Sequence, residues 1–530
     1  MAALAAQSTR PAIVFIGFMA AGKSAAASAA AERLGVEALD ADELLERELG
    51  EPIADLFQRE GEGEFRRREE ELVLGLLAGD GDASAGGAPV LALGGGAVES
   101  ERVRDALAAH LCIWCRVDEE TAWQRASRDD ERPLASDRKE FSRRFSARQP
   151  LYESIARAIL PADARESARQ AAPWLAAMLD APGVRMIWAD SESGFYPALV
   201  GEGALGLLDR AREIAPATIP ARAFCVADSA ALAEHEKILP AREATIEVEG
   251  SEASKTISEV ERVLGELASA GARRDDILVA FGGGVVGDLA GFCAATYQRG
   301  VPVVQAPTTL VSQVDSAYGG KTGVDLPSAK NYMGAYHLPK AVLADPATLA
   351  TLPREELAAG FVEVVKTALI AGGDLWERVR RIDALDPASL ADVIFDCART
   401  KIEIVASDER DSGRRAVLNL GHTVGHAIEA ASGYERYRHG EAVGLGLLAA
   451  LRLSGADGLR DEVEGLLTAH DLPTTLDASV GADDVIEAMG RDKKATREGL
   501  GFVLLERPGE PRWGQSVEPD RVRAAVEDLY

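Results

Sequence analysis

Three of the chain's seven histidines, His422, His426 and His439, fall within RAVLNLGHTVGHAIEAASGYERYRHGE, residues 415–441. His422 and His426 are four apart, so on a helix they share one face. Neutral imidazoles converging in this way suit a borderline-soft divalent metal, and a carboxylate from elsewhere would complete a three-ligand catalytic site. The same spacing also fits a helix face whose histidines only hydrogen-bond. Glycine-rich, lysine-bearing sequence upstream tips the balance towards a site for a phosphorylated substrate and a nucleotide.

The clearest phosphate signal lies near the start. AIVFIGF is an apolar run of strand length, followed by GFMAAGKS, Gly17 to Ser24, and an alanine-rich helix. Strand, G-x-x-x-x-G-K-S and helix, in that order, form a P-loop. Gly17 and Gly22 let backbone N–H groups turn towards phosphate oxygens; Lys23 would reach the β- and γ-phosphates and Ser24 would ligate Mg²⁺. Ala20 stands where these loops commonly carry glycine, which restricts the backbone if that position needs positive φ. Ala25 follows Ser24 where threonine is common. Downstream come Asp40 and Asp42, the run Phe65-Arg66-Arg67-Arg68, Gly94-Gly95-Gly96 after the strand PVLAL, Arg132-Pro133, and Arg148-Gln-Pro-Leu-Tyr152.

With these motifs in this order, the segment resembles shikimate kinase over nearly its whole length. The resemblance implies that Asp42, Arg66, Gly95 and Arg148 hold a hydroxylated, carboxylated ring, chemistry for which a carboxylate and arginines are apt. It places Asp40 near Mg²⁺ through water. Arg132 would sit on a mobile lid over ATP, binding the nucleotide and stabilising the transferring phosphoryl group.

Composition bounds the alternatives. A chain of 530 residues exceeds one hydrophobic core, and 47% apolar with 27% charged residues is a globular balance. The net charge of −28 argues against nucleic acid or an anionic membrane as partner. Phosphate binding must therefore rest on local positive charge, and the chain has only 11 lysines with which to supply it. No run reaches membrane-span length, and MAALAAQSTRP lacks the basic and apolar regions of a signal peptide, so a cytoplasmic location is expected. The five cysteines are too few for a disulfide framework. Cys112 and Cys115 spell C-x-x-C, yet LCIWCRV reads as a buried strand, in which positions three apart point to opposite faces.

Beyond a Pro-Gly break at Pro182-Gly183 the pattern restarts. DDILVAFGGGVVGDLAGF places Gly282, Gly284 and Gly287 after a strand and into a helix, a dinucleotide-site candidate with Asp288 beside it. Arg299-Gly300, PTTL at 307–310, VDSAYGGKTG at 314–323 and KNYMG at 330–334 follow. Lysines in glycine-rich loops suit phosphate. In LPREELAAGFVEVVKTALI the apolar spacing is helical, and Glu363 and Lys366 share a face amid apolar neighbours, which suggests partial burial. Buried charge needs a partner or a metal.

Across 184–530 these motifs resemble 3-dehydroquinate synthase. The resemblance makes Glu363, His422 and His439 the zinc (or cobalt) ligands, and moves His426 from ligand to an active-site residue near substrate phosphate. It implies that NAD is held by Asp228, Glu252, Lys255, Gly283, Gly284, Val285, Asp288, Thr308, Thr309, Lys321, Lys330 and Thr351. A phosphorylated seven-carbon substrate would meet Arg299, Asp315, Lys321, Lys330, Asn331, Lys366, Lys401, Arg415, Asn419, Lys493 and Lys494. Among these, Asp315, Lys321, Lys366, Arg415, Asn419 and His426 would take part in catalysis, as Lys23 and Arg132 would in the kinase. Tyr318 departs from the small aliphatic residue expected before Gly-Gly-Lys.

The expected fold is α/β throughout: a P-loop kinase of parallel sheet and flanking helices over 1–178, a Rossmann-like NAD domain over 184–344, and a mainly α-helical metal and substrate domain over 345–530. The expected function is twofold. One half would phosphorylate shikimate at its 3-hydroxyl with ATP and Mg²⁺. The other would cyclise 3-deoxy-D-arabino-heptulosonate 7-phosphate to 3-dehydroquinate, through transient oxidation, phosphate loss, re-reduction and an intramolecular aldol step. A homodimer through the second half is expected. The rival readings are a different sugar-phosphate cyclase or a polyol dehydrogenase for the second half, and a silent nucleotide-binding scaffold for the first.

Overall fold

The computed structural model describes residues 11–79, 88–128, 137–162, 165–327, 329–411, 413–492 and 501–530. They form two units, one of residues up to 188 with 206–221, the other of 189–205 with 222–530. The segment 206–221 thus groups with the first unit although it follows the expected break at Pro182-Gly183.

In the first unit, β1 (Ile13–Ile16), β2 (Ala38–Asp40), β3 (Val90–Ala92), β4 (Leu111–Arg116) and β5 (Ala158–Pro161) form a parallel sheet in the order β2-β3-β1-β4-β5. β1 is buried along its whole length, as expected of a central strand covered on both faces. The chain order reverses beside β1, so the loop from β1 into α1 (Lys23–Leu34) opens at a topological switch point, the usual place for a ligand. Two further helices border it, α2 (Glu62–Ala78) and α3 (Arg138–Ile155). Cys112 and Cys115 are both buried on β4, in keeping with a core strand, and burial pushes both thiols up to about 12. Strand β6 (Arg185–Ser191) carries the chain from one unit into the other.

The second unit holds a parallel sheet in the order β7-β14-β11-β10-β8-β9. Its strands are β7 (Gly194–Val200), β8 (Ala223–Asp228), β9 (Ala244–Val248), β10 (Ile277–Gly282), β11 (Val303–Pro307) and β14 (Ala341–Ala344). Phe224, Val226, Ile246, Leu278 and Ala280 pack one face against Val286, Leu289 and Cys293 of α4 (Gly284–Thr296). An antiparallel hairpin, β12 (Lys321–Leu326) and β13 (Ala329–Tyr336), projects from the loop after β11. From Arg354 the unit is mainly helical: α5 (Arg354–Ala371), α6 (Pro387–Ser407), α7 (His422–Ala431) and α8 (His439–Ser454). Fourteen consecutive residues of α5, Leu357 to Ile370, are buried, Glu363 and Lys366 among them. Their burial is complete where the sequence suggested it to be partial. Among the described residues, no helix is long and apolar enough to cross a membrane.

Candidate active sites

The P-loop of the first unit is shaped by contacts as well as by glycine. Gly17 has φ of 145°, and a Cβ there would lie 2.6 Å from the Cys115 carbonyl oxygen. Gly22 caps α1 in the left-handed region. Ala20 has φ of 60°, so the position does require positive φ and alanine holds it at a cost. Lys23 Nζ donates to the Phe18 carbonyl oxygen at 3.1 Å, across the mouth of the loop that leads into Ser24. Asp40 caps the helix Ala41–Leu49, accepting from the backbone N–H of Asp42 at 3.0 Å.

Beside the loop, Gly94, Gly95 and Gly96 make room for side chains. A Cβ on Gly94 would lie 2.2 Å from Glu69 Oε1 and 2.8 Å from Asp42 Oδ1; one on Gly96 would lie 2.1 Å from Arg66 Nη1. Tyr152 Oη donates to the Gly95 carbonyl oxygen at 2.5 Å. Asp42, Arg66, Gly95 and Arg148 therefore share one corner. Two residues not anticipated join them. Glu69 is buried, pairs with Arg66 at 2.6 Å and keeps one oxygen without a hydrogen bond; Glu99 contacts both arginines. Burial, outweighing Arg66, raises the Glu69 carboxyl above its ordinary value. The i,i+3 spacing of Arg66 and Glu69 was readable, but nothing local marks Glu99. Arg132 lies outside the described residues.

In the second unit, α5, α7 and α8 bring Glu363, His422, His426 and His439 together. Glu363 Oε1 lies 3.5 Å from His422 Nε2 and 3.5 Å from His439 Nε2. The three histidine rings are 5.2, 5.3 and 5.7 Å apart, centroid to centroid, and their ligand atoms fall within 4.8 Å of one another. The other face of each ligand candidate is accounted for. His422 Nδ1 donates to the Leu420 carbonyl oxygen at 3.2 Å, which leaves its Nε2 lone pair facing a carboxylate. His439 Nδ1 faces Glu429 Oε2 at 3.2 Å, the outer-shell arrangement that orients metal-bound imidazoles. Glu429 was not anticipated, though it lies seven residues after His422 on the same helical face.

The electrostatics suit a cation. Burial, with Lys366 nearby, lowers the His422 pKa to about 3, so the ring is neutral. Burial disfavours charge on His439 too, but Glu363 and Glu429 outweigh it and raise that pKa to about 10. Glu363 is buried, yet neither of its oxygens has a hydrogen bond of good geometry. A buried carboxylate with one oxygen aimed at two imidazole nitrogens is a donor set that fits Zn²⁺ or Co²⁺.

A line of charge runs inward from there. Lys366 Nζ lies 2.5 Å from Glu363 Oε2 and donates to Asp315 Oδ2 at 2.9 Å, and Lys401 donates to the other oxygen of Asp315. Burial would raise the Asp315 carboxyl, but the two lysines hold it near 2. Burial lowers Lys401, against the pull of Asp315. Asp315 sits in the π-helical turn Ser312–Ser316, which Tyr318 pins by donating to the Gln313 carbonyl oxygen at 2.8 Å. Tyr318 is buried, and Gly319 and Gly320 after it take positive φ, so the larger side chain is absorbed before the glycines turn the chain. Arg415 is buried against Gly319 and donates to the Glu409 carbonyl oxygen. Lys321 pairs with Asp411; Arg299 and Asn419 are exposed. Lys493 and Lys494 lie outside the described residues.

The remaining candidates gather at the C-terminal ends of the strands. A Cβ on Gly250, just after β9, would strike Asp228 Oδ2 at 2.1 Å, and one on Gly283 would lie 2.9 Å from Thr309 Cγ2. Gly284 and Val285 open α4, and the Thr308 N–H donates to the Gly282 carbonyl oxygen at 2.9 Å. Lys255 donates to Asp288 at 2.9 Å and to Asn331, and Glu252 lies 3.9 Å from it. Lys330 lies 3.6 Å from Glu252 and 4.2 Å from the centre of the Tyr434 ring. Thr351 hydrogen-bonds His235 at 2.7 Å. Backbone crowding with no side chain in the way is what a dinucleotide crevice requires.

Comparison with known proteins matches residues 19–178 to the shikimate kinase family, 245–359 to 3-dehydroquinate synthase N-terminal and 360–495 to 3-dehydroquinate synthase C-terminal. The chain is 43% identical over 355 residues to a 3-dehydroquinate synthase of Symbiobacterium thermophilum, covering 63% of this chain and 98% of the relative. Among solved structures it is similar to a 2-epi-5-epi-valiolone synthase from Streptomyces hygroscopicus with NAD⁺ and Zn²⁺ bound, at 25% identity and a TM-score of 0.54, over 58% of this chain and 90% of that one. A 2-deoxy-scyllo-inosose synthase complexed with carbaglucose-6-phosphate, NAD⁺ and Co²⁺ shares the fold, at 24% identity and a TM-score of 0.57, over 65% of this chain and all of the other.

Proposed function

This chain belongs to the 3-dehydroquinate synthase family, with a shikimate kinase domain joined ahead of it, and from that premise we infer two active sites in one polypeptide. The first phosphorylates the 3-hydroxyl of shikimate with ATP and Mg²⁺. The second cyclises 3-deoxy-D-arabino-heptulosonate 7-phosphate to 3-dehydroquinate and releases phosphate. The observation that carries the second reading is Glu363, a buried carboxylate whose Oε1 faces both His422 Nε2 and His439 Nε2 at 3.5 Å while Lys366 holds its other oxygen.

In the kinase, the P-loop backbone and Lys23 would hold the transferring phosphate, with Ser24 and Asp40 on the Mg²⁺ side. Asp42 and the Gly95 backbone would take ring hydroxyls while Arg66 and Arg148 take the carboxylate. Holding both reactants in this way turns a bimolecular transfer into an oriented one. In the synthase, Glu363, His422 and His439 would hold the metal, and the crevice from Asp228 to Thr351 would hold NAD. When bound, these groups supply polarisation of a substrate oxygen and reversible hydride transfer. The chain's own part is orientation and charge. Lys366, Lys401 and Arg415 would bind and neutralise the anionic substrate, with Asp315 fixing both lysines, and His426 would face the phosphate.

We propose further that 184–344 and 345–530 divide the nucleotide and metal roles. Homodimer formation and a cytoplasmic location belong to the same proposal. The first rests on the family resemblance, and the second is supported by five buried, unpaired cysteines. Assaying the intact chain tests the whole reading. It should form 3-dehydroquinate with no net NADH, and consume ATP only when shikimate is present. Net NADH release would point to a dehydrogenase, and ATP turnover indifferent to shikimate would remove the kinase assignment.

A further inference from the structure

The acid-binding corner of the first unit contains a side chain that phosphoryl transfer does not call for. Glu99 ends the 3₁₀ turn Ala97–Glu99 that follows the glycine run. Each of its oxygens faces one arginine: Arg148 Nε donates to Oε1 at 2.9 Å, and Arg66 Nε lies 3.8 Å from Oε2. Arg66 Nε is buried and has no hydrogen-bond partner, so that second contact is incomplete. Burial alone would raise the Glu99 carboxyl, but Arg148, Arg66 and Arg144 outweigh it and hold it below the usual range. The side chain is therefore ionised at neutral pH.

We propose that Glu99 is an internal stand-in for the carboxylate of the substrate, paired with Arg148 and facing Arg66, whose nearer partner is Glu69, until the ring acid displaces it. The proposal rests on the reading of those two arginines as the carboxylate site. Mobility favours it: the Glu99 side chain is 42% exposed, whereas that of Arg148 is 2% exposed and lies 5.6 Å from the centre of the Phe18 ring. Glutamate can swing into solvent while the arginine stays. Fit favours it too, since one good hydrogen bond and one orphaned donor leave room for a better-seated carboxylate. The consequence is selectivity. An anion offering only a carboxylate must displace Glu99 with nothing else to gain. A ring acid that also engages Asp42 and the Gly95 backbone has further contacts to set against that displacement. Glu99 thus sets the affinity of the acid site and its indifference to simple carboxylates.

Replacing Glu99→Gln keeps the shape and removes the charge. Titration calorimetry on the full chain should show shikimate binding about three- to ten-fold tighter. The KM for shikimate should fall in proportion, without a matching fall in the KM for ATP. Shikimate methyl ester, which lacks the charge, should bind the parent and the variant alike. Unchanged or weaker shikimate binding would overturn the proposal, as would an equal gain for acid and ester, because competition between charges would not then be the cause. The Arg148→Ala variant separates the two levels of inference. If it raises the KM for shikimate while Glu99→Gln does nothing, only the stand-in role fails. If it leaves that KM unchanged, the carboxylate site itself is misassigned and both fall.

Discussion

Metal choice among the three histidines is a question for single residues. Spacing alone pairs His422 with His426, whereas the geometry sets Glu363 between His422 and His439 and the ring of His426 alongside both. If Glu363, His422 and His439 are the ligands, His439→Ala should lose its zinc and form no 3-dehydroquinate. His426→Ala should keep roughly stoichiometric zinc and lose turnover. Metal analysis of the two purified variants decides the matter; a metal-free His426→Ala with zinc retained in His439→Ala would reverse the assignment. Residue types and order made this site legible in the sequence. The partner that orients His439 was not legible, because Glu429 gains that role only when the helices carrying the two residues pack together. Glu99 was hidden for the same reason, since its arginines lie 33 and 49 residues away.

Elements hold these side chains by close backbone approach. A Cβ on Gly446 of α8 would lie 2.0 Å from the Gly421 carbonyl oxygen at the start of α7; one on Gly440 would lie 1.9 Å from the Ala359 carbonyl oxygen of α5. The three helices that carry the candidate ligands thus meet at glycines. Gly446→Ala should force α7 and α8 apart, costing about 1–3 kcal/mol and lowering zinc content along with Tm. Undiminished zinc in a destabilised variant would show that α7 and α8 can shift without disturbing the ligands. The P-loop offers the opposite case. Ala20 occupies φ of 60° without the freedom of glycine, so Ala20→Gly should stabilise the first unit by about 0.5–1 kcal/mol, read by denaturant unfolding. The sequence marked Ala20 as a departure, but only backbone geometry shows that the departure carries strain.

For the whole molecule, the two sets of candidate catalytic groups belong to separate units, each built on its own run of parallel strands. Strand, glycine loop and helix recur in both, and that local order is why the fold class could be read from the sequence. The division at 206–221 could not, because it depends on which surfaces pack together and not on any composition shift. Lys23→Ala should abolish shikimate phosphorylation by removing a charge from the β- and γ-phosphates, and should leave 3-dehydroquinate formation at its parent rate. Loss of both activities in a folded protein would mean that the sites are not independent.

All five cysteines, Cys112, Cys115, Cys225, Cys293 and Cys397, are buried and unpaired, and burial raises every one of their thiols, four of them to about 12. A thiol protonated at neutral pH and shielded from solvent is a poor nucleophile towards maleimides or disulfides. The native protein is therefore a silent background for spectroscopic tagging. A Tyr332→Cys change, at a hairpin position 76% exposed, would introduce a single reactive handle. A fluorophore there could follow the β12–β13 hairpin as ligands arrive, with no need first to strip the natural cysteines.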